Sequence, residues 1–355
     1  MDDLVALNRF HGCRVLLTGH TGFKGSWLAI WLHRLQAEVH GIALEPPSTP
    51  SVFETAAVGK IVASDRRIDI RDADTLRRAV DEIKPEIVLH LAAQAIVREG
   101  YADPLGTFGT NVMGTANLLD ALRGSPARAI VVVTTDKVYE NHEWLHPYRE
   151  SDRLGGRDPY SASKAGTELV ARAFRDSYPG ALPPIATARA GNVIGGGDWS
   201  ADRLLPDCMR AFASGEVVEL RNPGATRPWQ HVLDPLSGYL QLADALAQGA
   251  GDFTGSWNFG PDLAGEDSVG DVAGRAAEAW GANARVEHVP QADAPHEANI
   301  LRLSSAKARL ELGWSPRWGL NRAIGETVAW HRAQLEDADM LQVTLDQIAA
   351  WESGE

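Results

Sequence analysis

Cysteine is nearly absent: Cys13 and Cys208 are the only two in 355 residues. Two thiols so far apart in sequence make neither a disulfide framework nor a thiolate metal cluster, so no metal is expected and a reducing cytoplasm fits. Basic residues are in the minority, 34 Lys and Arg against 47 Asp and Glu. The resulting formal net charge of -13 argues against general binding to nucleic acid or to an anionic membrane and leaves room for a local basic pocket only. There is no uninterrupted apolar stretch long enough to span a bilayer. The start, MDDLVALNRF, lacks a basic-then-apolar leader. Repeats and low-complexity segments are missing as well. What remains has ordinary globular composition, in a chain long enough for one large domain or two intimate ones.

Buried-strand patterns are plentiful. Ile130 to Thr135 is a β-branched apolar run that stops at Thr134-Thr135-Asp136-Lys137, as expected of a strand buried on both faces of a parallel sheet. Ligands of open α/β sheets bind at the carboxyl ends of the strands. The run therefore places a hydroxyl, a carboxylate and an ammonium at the mouth of a cleft, although a solvated polar strand end fits the same pattern. Earlier in the chain, Cys13 to Leu17 reads as a strand, TGHTGFKG follows with Gly19, Gly22 and Gly25, and Ser26 to Leu35 reads as a helix. Glycines at such a turn let the backbone approach a pyrophosphate, and the helix N-terminus offers free N–H groups and a favourable dipole. That loop, with Phe23 inside it, is the expected dinucleotide site.

The next strand, Glu38 to Leu44, ends without the usual ribose-binding acid; only Glu45 is nearby. No arginine or lysine follows it to hold a 2′-phosphate, which favours NAD over NADP. Asp69, at a third strand end with Ile70, could accept from the adenine amino group or remain a solvated turn residue. Glu86 to Ala93 is a fourth strand, whose Leu91, Ala92 and Ala93 would let a flat cofactor lie against the backbone. Gln94 and Arg98 leave it toward the cleft. Asp103 to Leu122 is helical in pattern and carries Asn111, which could bond backbone or cofactor. Strand and helix alternate with the period of a doubly wound parallel sheet.

Asp158-Pro159 is a strong helix start, aspartate at the N-cap and proline at the first position. Tyr160 and Lys164 follow at i and i+4, on one face. A lysine beside a phenol favours the phenolate and makes tyrosine a usable base. Alone, such a pair is equally a packing contact.

With these residues in place, the chain resembles the extended short-chain dehydrogenase/reductases, through TGHTGFKG, HLAA, Thr135 and the Tyr160/Lys164 pair. Within that group it is most similar to the CDP-glucose 4,6-dehydratases, through TGHTGFKGSWL, TTDKVYENHEW, DPYSASK, ARAGNVIGGGDW, RNPGATRPWQHVL and WNFGP. The resemblance implies a Rossmann-type NAD-binding domain over 1–190 and a smaller, interleaved α/β sugar-nucleotide domain over 191–230 and 248–355, with 231–247 returning to the first. It implies that Tyr160 deprotonates the sugar 4-hydroxyl, Lys164 holds the nicotinamide ribose and Thr135 bonds the reacting oxygen. Asp136 and Lys137 would supply the groups that remove water across C5 and C6; Lys137 is either the C5 base or only a partner of Asp136 or of a sugar hydroxyl.

The same resemblance places Asn192 on the substrate diphosphate and brings Gln94 to the sugar. Arg203, Arg221, Arg227 and His231 are candidates for a local basic pocket or for structural pairs. His296 lies near the family's sugar site without an assigned role. CDP-glucose is the implied substrate, and a homodimer through the helices at 103–122 and 159–178 the implied assembly. Another nucleotide-glucose, or a non-catalytic NAD sensor, would fit the same fold. The sensor has no use for Thr135, Asp136, Lys137, Tyr160 and Lys164 together.

Overall fold

The apolar run before Thr134 lies inside a seven-stranded parallel sheet of order β3-β2-β1-β4-β5-β6-β11. Its strands are β1 (Arg14–Thr18), β2 (Glu38–Ala43), β3 (Ser64–Arg67), β4 (Ile87–His90), β5 (Ala129–Val133), β6 (Ile185–Arg189) and β11 (Gly255–Asn258). The computed structural model describes residues 8–354 apart from 221, 250–251, 263–265, 282–283 and 290–299. Alternation along each strand sorts the core into two layers. Val15, Leu17, Leu89, Val131 and Val133 face one layer with the helices Phe23–Arg34, Leu233–Gln248 and Met340–Ser353. Leu16, Val88, Ile130 and Val132 face the other, with Ala73–Ile83 and Gly114–Ala121. The order reverses between β1 and β4, which opens a crevice at their carboxyl ends.

A smaller lobe gathers four short strands besides the β7 (Val193–Ile194) and β10 (Gln230–His231) pair: β8 (Val217–Leu220) beside β13 (Arg285–His288), and β9 (Thr226–Pro228) antiparallel to β12 (Glu266–Ser268). Cys208, Phe212, Leu220, Val272, Ile324 and Val328 share its core, on the helices Leu204–Ser214, Val269–Trp280 and Leu320–Leu335 and on β8.

Three details differ from the sequence reading. The first helix starts at Phe23, three residues before Ser26, because glycines leave its first turn unhindered. The helix expected over 103–122 carries a π turn at Gly109–Met113, centred on Asn111; such bulges gather at functional positions. The main sheet draws on chain beyond 248, since β11 forms its edge beside β6 and the Met340–Ser353 helix packs on Phe23–Arg34, with Trp31 and Trp351 in edge contact.

Candidate active site

Asp158 fixes where the catalytic helix begins. Its carboxylate accepts from the Ser161 backbone at 3.0 Å and from the Ser161 hydroxyl at 2.5 Å, with Pro159 at the first helical position. The start sets the phase, so Tyr160 and Lys164 both turn inward and are buried. The Tyr160 phenol lies close enough to the Thr135 hydroxyl for the two to interact. Burial pushes the phenol up to about 12, against the opposing effects of Thr135 and of Arg203. This corrects the expectation that Lys164 would favour the phenolate: Lys164 Nζ donates instead to the Val133 carbonyl at 3.1 Å. Burial, then the Lys24 charge, lowers Lys164 to about 7.

Thr135 begins a short 3₁₀ turn over Asp136–Val138, and its hydroxyl accepts from the Lys137 N–H at 3.3 Å. The same hydroxyl donates to Asp136 Oδ1 at 3.0 Å. Asp136 is buried, and its second oxygen has no partner among the described residues. Burial raises this carboxyl, although Lys137, the Thr135 bond, Arg227 and Lys24 all pull the other way. Lys137 is half-buried beside it.

Lys24 was missed by the sequence reading. It stands in the first turn of the Phe23–Arg34 helix, where the dipole disfavours a cation. That mismatch inside TGFKG was the available signal. Burial and Arg203 lower it to about 8, while Asp136 and Asp198 oppose them. Its ammonium lies 5.9 Å from the Tyr239 ring centre, and the buried Tyr239 hydroxyl has no partner among the described residues.

The glycine loop has the shape a dinucleotide needs. Gly19 has φ +77°, and a Cβ there would stand 2.7 Å from the Ala92 backbone nitrogen. A Cβ on Gly25 would overlap the Gly19 carbonyl. No side chain caps the helix that starts at Phe23 after Gly22, so its first amides can receive a diphosphate. Ala92 and Ala93 are half-buried at the end of β4, where the Leu91 and Ala92 amides donate to Thr18. Asn111 turns its amide to the Gln94 backbone, at 2.9 and 3.0 Å, and to Ser163 at 2.8 Å; it shapes the loop after β4. Asp69 pairs with Arg71 at 2.6 Å, while Ile70 is buried against Gly114.

Glu45 meets a cation that sequence order hides. Arg67, at the end of β3, bonds it at 3.1 Å, pairs also with Asp65 and lies over Phe53. The premise that no cation stands near Glu45 is thereby corrected: parallel pairing of β2 and β3 brings one there.

Among the expected substrate groups, Gln94 and Asn192 each keep a buried amide atom without a partner among the described residues. Asn192 does so from a left-handed backbone, φ +45°. Arg203 pairs with Asp198 at 3.0 Å and is close enough to Tyr160 for each to affect the other's ionisation. Arg227 lies on β9 within electrostatic reach of Asp136. Arg221 and His296 fall outside the described residues. His231 is fully buried between Trp27 and Trp318, with ring centres 5.8 and 4.7 Å away. Parallel pairing of β10 with β7 turns it inward.

Comparison with known proteins adds the family. The chain is 44% identical to the CDP-glucose 4,6-dehydratase of Salmonella typhimurium, over 99% of each chain. It is 29% identical to a UDP-glucose 4-epimerase of Mycolicibacterium smegmatis, over 90% of this chain and 98% of that one. Its fold superposes with a TM-score of 0.75 on the dTDP-glucose 4,6-dehydratase of Bacillus anthracis solved with NAD, at 22% identity, covering 92% of this chain and 99% of that one. The model of the GDP-mannose 4,6 dehydratase family matches residues 16–327. Sheet order, glycine loop and these matches agree: the chain belongs to the GDP-mannose 4,6 dehydratase family, among the extended short-chain dehydrogenase/reductases.

Proposed function

We propose that this protein is an NAD-dependent hydro-lyase that converts CDP-glucose to CDP-4-keto-6-deoxyglucose. The observation that carries the reaction type is Asp136, a buried carboxyl with one oxygen unpartnered among the described residues, raised by burial and bonded to the Thr135 hydroxyl that stands next to Tyr160. Oxidation at C4 needs a base, and elimination at C6 needs an acid that still holds its proton; these two neighbours provide the pair. The choice of cytidine rests on the relative that is 44% identical.

Gly19, Gly22, Phe23 and Gly25 would hold the dinucleotide diphosphate, Leu91, Ala92 and Ala93 its flat face, and Lys164 the nicotinamide ribose. When bound, it would supply reversible hydride acceptance and positive charge. Tyr160 takes the proton of the 4-hydroxyl, and the Thr135 hydroxyl donates to the same oxygen. Lys137 takes the C5 proton that the new ketone acidifies. Asp136 gives its proton to the C6 oxygen, which leaves as water. The hydride taken from C4 is then returned to C6 while Lys137 gives the proton back to C5, so the dinucleotide ends oxidised. Asn192 and Gln94 supply amides to the sugar nucleotide, and Arg203 and Arg227 supply positive charge.

The test is turnover of CDP-, dTDP-, GDP- and UDP-glucose by the purified protein, with loss of water followed by mass. Turnover of CDP-glucose alone supports the assignment, and preference for another base overturns it. Tyr160→Phe should lower the rate by about 10² to 10⁴.

An assembly through the helices at 103–122 and 159–178 belongs to the same reading. Leu105, Phe108, Met113 and Leu169 are exposed there, Leu105 at 84%, and apolar surface of that kind suits a second copy of the chain. Sedimentation should give a dimer that Leu105→Glu with Met113→Glu separates. We assign the protein to the cytoplasm, consistent with two buried free cysteines; among the described residues no helix is long and apolar enough to cross a membrane.

A further inference from the structure

Three consecutive residues at the end of β5 each meet one turn of the catalytic helix. The Val133 carbonyl receives Lys164, the Thr134 hydroxyl donates to Glu168 Oε1 at 2.6 Å, and Thr135 lies within interaction range of Tyr160. Positions 160, 164 and 168 are spaced by four and share a helix face. The mechanism uses the outer two strand contacts and leaves Glu168 without a role.

Glu168 is among the most fully engaged side chains of the protein. It is 3% exposed and Arg189, its partner, 2%. Oε1 accepts from Thr134 and from Arg189 Nε at 2.9 Å. Oε2 accepts from the Thr187 hydroxyl at 2.6 Å, from Arg189 Nη2 at 2.8 Å and from the Ser256 hydroxyl at 3.1 Å. Arg189 continues to the Tyr139 hydroxyl at 2.8 Å, which donates to Asn258 at 2.7 Å. The helix is thus bonded through one carboxylate to the ends of β5, β6 and β11.

Stability is a poor explanation for such a pair, because buried ion pairs are often replaceable by apolar residues at no loss. Register is a better one. A carboxylate with five donors has one place to sit, and the helix cannot slide along the strand end without breaking all of them. Charge adds to this. Burial alone would raise the Glu168 carboxyl, yet Arg189 and the Thr134 and Thr187 hydroxyls hold it below the usual carboxylate range. It therefore remains an anion one turn beyond Lys164. Lys24 and His90 face Lys164 from the glycine-loop helix and from β4, and of these charged groups Glu168 alone favours its protonated form.

We propose that Glu168 is a positioning residue of this active centre: it fixes the helix of Tyr160 and Lys164 in register with the strand end of Thr135 and Asp136, and serves as the buried counter-charge of the Lys164 ammonium. The proposal rests on the dehydratase reading given above.

Thr134→Val removes the helix-to-strand bond without changing shape, and Thr134→Ser restores it. Thr134→Val should fold, keep its KM and lose about 10- to 100-fold in kcat, the range for a small misplacement of catalytic groups. Thr134→Ser should recover most of that. Amides of 133–138 should exchange hydrogen faster in Thr134→Val, a readout independent of turnover. Glu168→Gln should also lower kcat and move the alkaline limb of the pH profile to lower pH, because Lys164 then loses its proton more readily. Thr134→Val with wild-type kcat overturns the proposal, as does a loss that Thr134→Ser fails to recover. A folded Glu168→Gln with an unmoved alkaline limb overturns the counter-charge role. If Glu168→Gln does not fold, the Thr134 pair decides. A wild-type protein inactive on every nucleotide-glucose would instead overturn the functional reading, with the exchange measurement still deciding on register.

Discussion

The carboxyl group of Asp136 packs directly on the backbone of Gly191, so that a Cβ at position 191 would overlap both its Cγ and Oδ2. The second residue after β6 is thus the floor under the proposed acid. Asp136 is also tied to Thr135, so it has little room to yield.

Gly191→Ala should therefore displace the acid and lower kcat by about 10²-fold. Oxidation should suffer less than elimination, because the three atoms nearest that Cβ position all belong to Asp136. Stopped-flow absorbance of the reduced cofactor against product formation separates the two steps. Equal loss in both would place Asp136 outside the elimination step.

Lys137→Met tests the C5 base. The variant should still reduce NAD on mixing with CDP-glucose, then stall with little solvent deuterium entering C5. Near-normal elimination with deuterium delivered to C5 would place the base elsewhere and leave Lys137 as a partner of Asp136 or of a sugar hydroxyl.

Cofactor choice depends on the Glu45–Arg67 pair. In the wild type Arg67 is held by Glu45 and Asp65, and the carboxylates repel a 2′-phosphate. Glu45→Gln should release part of that charge and tighten NADP binding by about tenfold, while NAD binding changes little. Calorimetric titration of both dinucleotides measures this, and an unchanged ratio would remove Glu45 from the discrimination.

Acid stability should carry the signature of His231. Burial, followed by Arg322, lowers it from 6.5 to about 3, so below pH 6.5 the unfolded chain binds a proton that the folded chain refuses. Stability is then lost as pH falls from 6.5 toward 3, and nothing is lost above that window. Buried Asp234, raised by burial to about 6, has the opposite sign and softens the decline. His231→Phe keeps the aromatic packing on Trp27 and Trp318 and removes the titration. Between pH 6.5 and 5 it should lose about 2 kcal/mol less than the wild type. Parallel Tm curves for the two proteins would contradict this.

Local chemistry decided much of what could be read without coordinates. The glycine turn between strand and helix, the Asp158-Pro159 start and the Tyr160/Lys164 spacing each depend on residues within one or two helical turns, so sequence alone determined them. The apolar runs likewise determined the parallel sheet. Tertiary structure decided what depends on neighbours far along the chain. Strand pairing sets Arg67 against Glu45 and turns His231 into the core. The approach of two helices and a loop brings Lys24 within reach of Lys164, Asp136 and Asp198. The edge strand at 255–258 brings Ser256 to Glu168. Ionisation followed the same division. Tyr160 and Lys164 look like an activating pair in sequence, but burial and a carbonyl acceptor, which sequence spacing does not encode, set their proton affinities in the folded chain.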